Sequence, residues 1–211
     1  MRVIVGLGNP GRRYDKTRHN VGFLVIERLA ERWTFESIIR SQFGALVGDG
    51  LIGLERALLV RPQSFMNASG QPVATAAGFH RVPPRELVVI HDDMDLPFGA
   101  VRCKTGGGHG GHNGLRDISR VLGPEFIRVR VGVGRPPEGW APADYVLGKW
   151  SASEEQALAE LIDGAADAAE CILRDGTEAA MNRFNVRPSR PDGRPEVSPV
   201  AASGEAMRSR R

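Results

Sequence analysis

The chain lacks most of the signatures by which chemistry is usually read from a sequence. It has two cysteines, Cys103 and Cys171, far apart and not in a C-x-x-C pair; each reads as a buried thiol in a reducing compartment, the cytoplasm. With no H-E-x-x-H either, a zinc site has no support and no metal is expected. No G-x-S-x-G nucleophile elbow occurs, since Asn67-Ala-Ser69-Gly70 lacks the leading glycine, and no G-x-x-x-x-G-K-[ST] phosphate loop is present. No apolar run approaches the roughly 18 residues of a membrane span. The N-terminal apolar run is too short for a secretory signal. There is no internal repeat.

Charge of one sign is also scarce. The net charge is +3 and the pI about 9.2, but the excess lies at one end. Residues 187–211 hold six arginines against three acids, leaving 22 basic and 22 acidic residues in 1–186. The terminal stretch, rich in Pro, Ser, Ala and Arg, has too little apolar surface to order itself, so two segments are expected: a folded body, 1–186, and a tail, 187–211. Nucleic-acid binding by the body would have to come from a local basic cluster.

What is present centres on Gly6-Leu-Gly-Asn-Pro-Gly11 and the residues up to Asn20, between an apolar strand, Val3–Val5, and a helix from Val21 to Trp33 whose Val21, Leu24, Val25 and Leu29 fall at helical spacing. The letters match G-x-G-x-x-G, but the context does not. Pro10 and Arg12–Asn20 separate the glycines from the helix, and no strand ending in an acid stands about 20 residues on. Further strands are expected at 43–47 and 57–60 with Gly48–Gly50 turning between them. A helix near Pro72 would bury Val73, Ala76 and Ala77, with Phe79 a further candidate. Leu87–Ile90, continuously apolar, reads as a central strand ending abruptly at His91-Asp-Asp-Met-Asp95. A strand at 101–104, a helix over 115–122 stopped by Gly123, and a strand at 126–131 with one basic face follow. Ser151 and Glu154 form a capping box for a helix through Ile172, and a short helix at 179–184 closes the body. Alternating strands and helices imply an α/β fold: a single three-layer domain with a mixed, mostly parallel twisted sheet flanked by helices.

The polar residues at element ends are the candidates for chemistry. His19 precedes the first helix, whose positive end would keep the imidazole neutral, as a general base must be; a surface histidine near a cap is the equal alternative. Asp92 follows the central strand at the edge where α/β sites lie, and a turn residue is its alternative. Asn9, Asn67 and Asn113 each enter or approach a helix, as caps or as neutral groups that orient a water and a carbonyl. His109 and His112 favour turn and hydrogen-bond roles, with His112 a candidate partner behind the site; His80 and His91 read as structural. Arg102, Lys104, Arg128 and Arg130 recur at spacing two on two strands, as a phosphate-contacting patch or a solvated surface.

These segments, together with Thr17-Arg-His-Asn-Val-Gly22, Phe65-Met-Asn-Ala-Ser-Gly70, His91–Pro97, Gly106–Leu115, Arg128–Gly132 and Tyr145–Lys149, resemble the bacterial-type peptidyl-tRNA hydrolases in order over residues 1 to about 186. The resemblance implies a metal-independent, cofactor-free, usually monomeric enzyme that cuts the ester between a peptide and the 3′ ribose of tRNA. It casts His19 as the base activating water, Asp92 as its orienting partner and Asn9 as a group distinguishing blocked from free aminoacyl ends. Tyr14, Phe65, Asn67 and Asn113 would line the substrate site, Met66 would add apolar wall, and Arg102, Lys104 and Arg130 would meet tRNA phosphates. The Arg-rich extension is a departure from the motifs. A dinucleotide-binding oxidoreductase and a non-catalytic tRNA-binding module are the alternatives.

Overall fold

Strands apolar at every position need cover on both faces, and two such strands lie side by side within the sheet. The computed structural model describes residues 1–35 and 39–186; the expected tail, 187–211, lies outside them. In chain order the elements are β1 (Arg2–Gly6), α1 (Val21–Arg32), β2 (Arg40–Gln42), β3 (Ala45–Ile52), β4 (Glu55–Pro62), α2 (Gly70–Phe79), β5 (Leu87–Asp93), β6 (Val101–Thr105), α3 (Asn113–Leu122), β7 (Ile127–Gly132), α4 (Pro142–Val146), α5 (Ala152–Asp175) and α6 (Thr177–Phe184). The sheet order is β2-β3-β4-β1-β5-β7-β6. The four strands β4, β1, β5 and β7 run parallel, while β2, β3 and β4 form an antiparallel meander and β6 runs antiparallel to β7.

Side chains alternate across the strands into two cores. Ile4, Leu59, Val88, Ile90, Val129 and Val131 meet α1, α5 and α6 on one side. Val3, Val5, Leu58, Val60, Leu87 and Val89 meet α2 and α3 on the other. The sheet is thus sandwiched between helices, in three layers. Both halves of the capping box form at the start of α5, with Ser151 Oγ accepting from the Glu154 N–H at 3.3 Å and Glu154 Oε2 from the Ser151 N–H at 2.7 Å. Arg32 at the end of α1 binds Asp163, Asp167 and Glu170 of α5, fastening those two helices.

Three expectations about local structure are corrected. Gly48 and Gly50 do not turn; they lie inside β3, and the chain reverses at Gly53-Leu54. Their missing side chains leave room for the buried ring of Phe35, which a Cβ at Gly50 would approach to between 2.9 and 3.2 Å. Gly53, at φ +61°, has the left-handed backbone that the turn requires. The strand expected to stop at Ile90 continues through His91 and Asp92 to Asp93, because all three pair with β7. Phe79 does not join the inner face of α2: it is 67% exposed, against the aromatic side chains of Phe43 and His80.

Helices α2 and α3 leave part of their side of the sheet open. On β7 and β6, Arg128 and Arg130 stand opposite Lys104 and Arg102 in register, alternating with the Val129, Val131 and Cys103 that enter the α5 core. That open basic quarter becomes one wall of a cavity.

Candidate active site

The glycines after β1 serve packing. A Cβ on Gly6 would collide with the Gly22 carbonyl, one on Gly8 with the Phe23 ring at 2.7 Å, and one on Gly22 with the Leu7 backbone and the Ile90 carbonyl. The first turn of α1 therefore rests directly on the ends of β1 and β5. A dinucleotide reading would need Gly8 open to a pyrophosphate, and the Phe23 ring of α1 fills that space. Reciprocal bonds tie the loop together: the Asn9 N–H donates to Asn20 Oδ1 at 2.8 Å, and Asn20 Nδ2 donates to the Asn9 carbonyl at 2.9 Å. Arg18–Asn20 form a short 3-10 turn ahead of α1, and this turn presents His19 to the end of β5.

There, His19 Nδ1 lies 2.8 Å from Asp92 Oδ1. The same oxygen is 3.0 Å from Nε2 of His112. His112 caps α3, its Nδ1 accepting from the Gly114 and Leu115 N–H groups at 3.2 and 3.4 Å. A nitrogen that accepts cannot carry a proton, so the His112 proton resides on Nε2 and is donated to Asp92. Asp92 thus receives two imidazole N–H bonds on one oxygen. This third member was legible only as a hydrogen-bonding histidine; its cap position, immediately before Asn113, was the available signal.

Electrostatics correct the expected behaviour of His19. Burial draws its pKa down, but the charge of Asp92 and the hydrogen bond to it outweigh burial and hold the imidazole above its ordinary value. The carboxylate, against burial, sets the direction of the shift. For Asp92, burial acts to raise the pKa, but the charge of His19 and the hydrogen bonds from His112 and His19 hold it well below the carboxylate range. Neighbouring His91 is driven low by burial. It donates from Nδ1 to the Asp92 carbonyl at 2.7 Å, which steadies the strand end from behind.

These groups open onto a cavity of about 520 Å³ lined by Asn9, His19, Phe65, Met66, Asn67, Asp92, Lys104, His112, Asn113, Arg128 and Arg130, with Pro142, Ala143, Val146 and Leu147 of the α4 segment. Asn9 is fixed in orientation: its Oδ1 accepts the Met66 N–H at 2.8 Å, so the opposite corner of the amide is the NH2. Met66 is buried, Phe65 is 58% exposed, and Asn67 and Asn113 are exposed at the rim. Tyr14 is not among the lining residues; it packs edge-on against Phe65 with ring centroids 6.3 Å apart.

The basic residues separate in the same way. Lys104 and Arg130 line the cavity, Arg130 paired with Asp93 at 2.7 Å. Arg102 lies opposite Arg130 in register but is not part of the lining. Arg128 departs from the expectation of a solvated or phosphate-facing side chain: it is 1% exposed, stacked on Phe126 and bonded to the carbonyls of Gly107 and Gly108. Backbone carbonyls, rather than solvent, receive its guanidinium. Lys104 is pushed below the usual lysine range by burial, then by the charges of Arg128 and Arg130.

His19, Asp92 and His112 offer three ligand atoms within 4.8 Å of one another, a spacing that would suit a metal ion. The hydrogen bonds do not fit one, because His112 Nδ1 is committed to accepting backbone protons and its Nε2 must then carry hydrogen. The arrangement suits proton transfer: a buried carboxylate, an imidazole with one nitrogen bound to it, and an amide donor at the same cavity.

Comparison with known proteins identifies the family and the fold. The family model described as peptidyl-tRNA hydrolase matches residues 3–192. A peptidyl-tRNA hydrolase of Nocardia farcinica is 49% identical over 184 residues, covering 87% of this chain and 95% of the relative. One from Geobacter sulfurreducens is 49% identical over 185 residues, with the same coverage of each. A crystal structure of peptidyl-tRNA hydrolase from Acinetobacter baumannii superposes with a TM-score of 0.82 at 38% identity, over 88% of this chain and 94% of that one. With a family model that matches most of its length, close relatives in sequence and a shared fold, the chain belongs to the peptidyl-tRNA hydrolase family.

Proposed function

We propose that the protein hydrolyses the ester joining a peptide, or an N-blocked aminoacyl group, to the 3′ ribose of tRNA, and so recycles tRNA from prematurely released peptidyl-tRNA. The observation that carries this reading is the His19–Asp92 pair at 2.8 Å beside the fixed amide of Asn9 in one cavity. His19 Nδ1 is occupied by Asp92, which leaves Nε2 to take a proton from water as that water attacks the ester carbonyl. Imidazolium forms in this step, and the ionised Asp92 stabilises it. The leaving ribose oxygen then receives the proton. An ester is reactive enough for this route without a covalent intermediate.

The Asn9 NH2 is placed to donate to an acyl carbonyl near the scissile bond, a contact that favours blocked over free aminoacyl groups. Asn67 and Asn113 at the rim and the Phe65–Tyr14 pair would flank the chain end, with Met66 giving apolar wall. Lys104 and Arg130 would meet tRNA phosphates, with Arg102 beside them. A body of residues 1–186 acting as a monomer in the cytoplasm, with no cofactor, completes the reading. Among the described residues no helix is long and apolar enough to cross a membrane.

The deciding assay follows release of the acyl group from N-acetylated and from unblocked aminoacyl-tRNA, each with EDTA present. Rapid cleavage of the blocked substrate alone is expected. Binding of tRNA without cleavage would overturn the hydrolase reading in favour of a binding module.

A further inference from the structure

Arg18 is the chain neighbour of His19, yet its side chain turns away from the reacting groups and is 8% exposed. Its Nη2 and Nε bind Glu154 Oε2 and Oε1 at 2.6 and 3.3 Å. Its Nη1 donates to the carbonyls of Lys149 and Tyr145 at 2.8 and 3.3 Å. The guanidinium carbon sits 4.3 Å from the Tyr145 ring centroid and 5.5 Å from that of Trp150. The backbone joins in: the Arg18 N–H donates to the Gly148 carbonyl at 3.2 Å, and Thr17 bridges to Lys149. Tyr145 is itself fixed by its hydroxyl on the Val133 carbonyl at 2.7 Å, and Glu154 belongs to the α5 capping box.

One guanidinium therefore holds the end of α4, the 148–150 linker and the start of α5 against the turn that carries His19. The α4 segment supplies Pro142, Ala143, Val146 and Leu147 to the cavity wall. Stability alone does not explain so costly a device, since a buried ion pair roughly breaks even against apolar packing of the same volume. What a planar fork with several fixed acceptors adds is geometry.

We infer that Arg18 is a positioning residue, which locks the His19 turn and the α4 wall into one unit and so holds the imidazole on Asp92. The kinetic part of this inference rests on the hydrolase reading; its spectroscopic part does not. A shift of the turn by about 1 Å is enough to cost up to about 100-fold in rate.

The test uses the full chain with Arg18→Lys and Arg18→Met, measuring kcat and KM on N-acetylated aminoacyl-tRNA and the titration of His19 by NMR. The charged and titratable groups facing this assembly are Asp92 of β5, His112 before α3 and Glu154 of α5. Loss of a nearby cation would by itself raise the His19 pKa. Loosened contact with Asp92 would lower it. We expect both variants to lose about 10- to 100-fold in kcat, more than KM rises, with the His19 titration moving down. Wild-type kcat and titration in folded variants, with only a lower Tm, would overturn the inference. If Arg18→Met does not fold, Arg18→Lys decides, because it keeps the charge and loses the fork. If the wild type cleaves nothing, the hydrolase reading fails and the titration alone judges Arg18.

Discussion

Replacing Asp92 with asparagine separates the charge of that residue from its shape. Both imidazole contacts fall on Oδ1, from His19 Nδ1 at 2.8 Å and His112 Nε2 at 3.0 Å. An asparagine oxygen at the same position can accept both, and its NH2 occupies the place of Oδ2, for which no hydrogen bond is found among the described residues. Asp92→Asn should therefore keep the orientation of the ring and remove the negative charge. A hydrogen bond to a charged partner is worth about 1.5–3 kcal/mol and a neutral one about 0.5–1.5. The difference of about 1–2 kcal/mol sets a floor of about 5- to 30-fold on the loss in kcat. The pH profile supplies the sharper test. The wild-type His19 pKa is raised by Asp92 against the opposing pull of burial, and the base acts when neutral. Hence kcat/KM should rise with pH through a limb above the ordinary histidine value of about 6.5. In Asp92→Asn the charge is gone and burial is opposed only by a neutral hydrogen bond, so the limb should move to lower pH even as the plateau falls. Profiles on N-acetylated aminoacyl-tRNA from pH 5 to 9 would show it. A limb that stays in place as the plateau drops would mean that Asp92 does not set the protonation of His19.

Other substitutions address separate parts of the reading. His19→Ala should abolish turnover and leave tRNA affinity nearly intact in a binding titration; parallel loss of both would remove it as the base. Lys104→Ala should raise KM and lower the slope of log K against log salt by about 0.7–0.9 for each phosphate that the side chain no longer neutralises. Arg130→Ala should act more weakly, because Asp93 already holds that guanidinium at 2.7 Å; equal slopes for the two variants would contradict this ranking. Gly50→Ala should cost about 1–3 kcal/mol of stability through overpacking on Phe35, visible as a lower Tm with kcat unchanged, and an unchanged Tm would refute the packing role assigned to that glycine.

The elements easiest to read from the sequence are those whose cause is local. A continuous apolar run placed β5 in the interior of the sheet, and Ser151 with Glu154 marked the start of α5 from four residues alone. Long-range causes were not legible. Gly48 and Gly50 look like turn residues because spacing says nothing about Phe35, an aromatic ring more than a dozen positions away. Phe79 fits the helical period of α2 yet stays largely exposed beside Phe43 and His80. Arg128 alternates like its neighbour Arg130, but the carbonyls that receive it come from a loop about 20 residues earlier. The same limit applied at the site. His19, Asp92 and Asn9 stood out as polar groups at element ends, whereas the sign of the His19 shift depended on a carboxylate 73 positions further along, and the place of His112 on which of its two nitrogens faces a helix end.

The seat of α1 on the sheet has a consequence for tolerance to change. Because Gly22 lets the helix touch the Leu7 backbone and the Ile90 carbonyl, the floor beneath His19 is made of main chain, which no side-chain rotation can adjust. The gap between His19 and Asp92 depends on a missing methyl group three residues downstream. Drift elsewhere in either core can be absorbed by repacking; a side chain at Gly22 would displace the helix start next to His19, the proposed base.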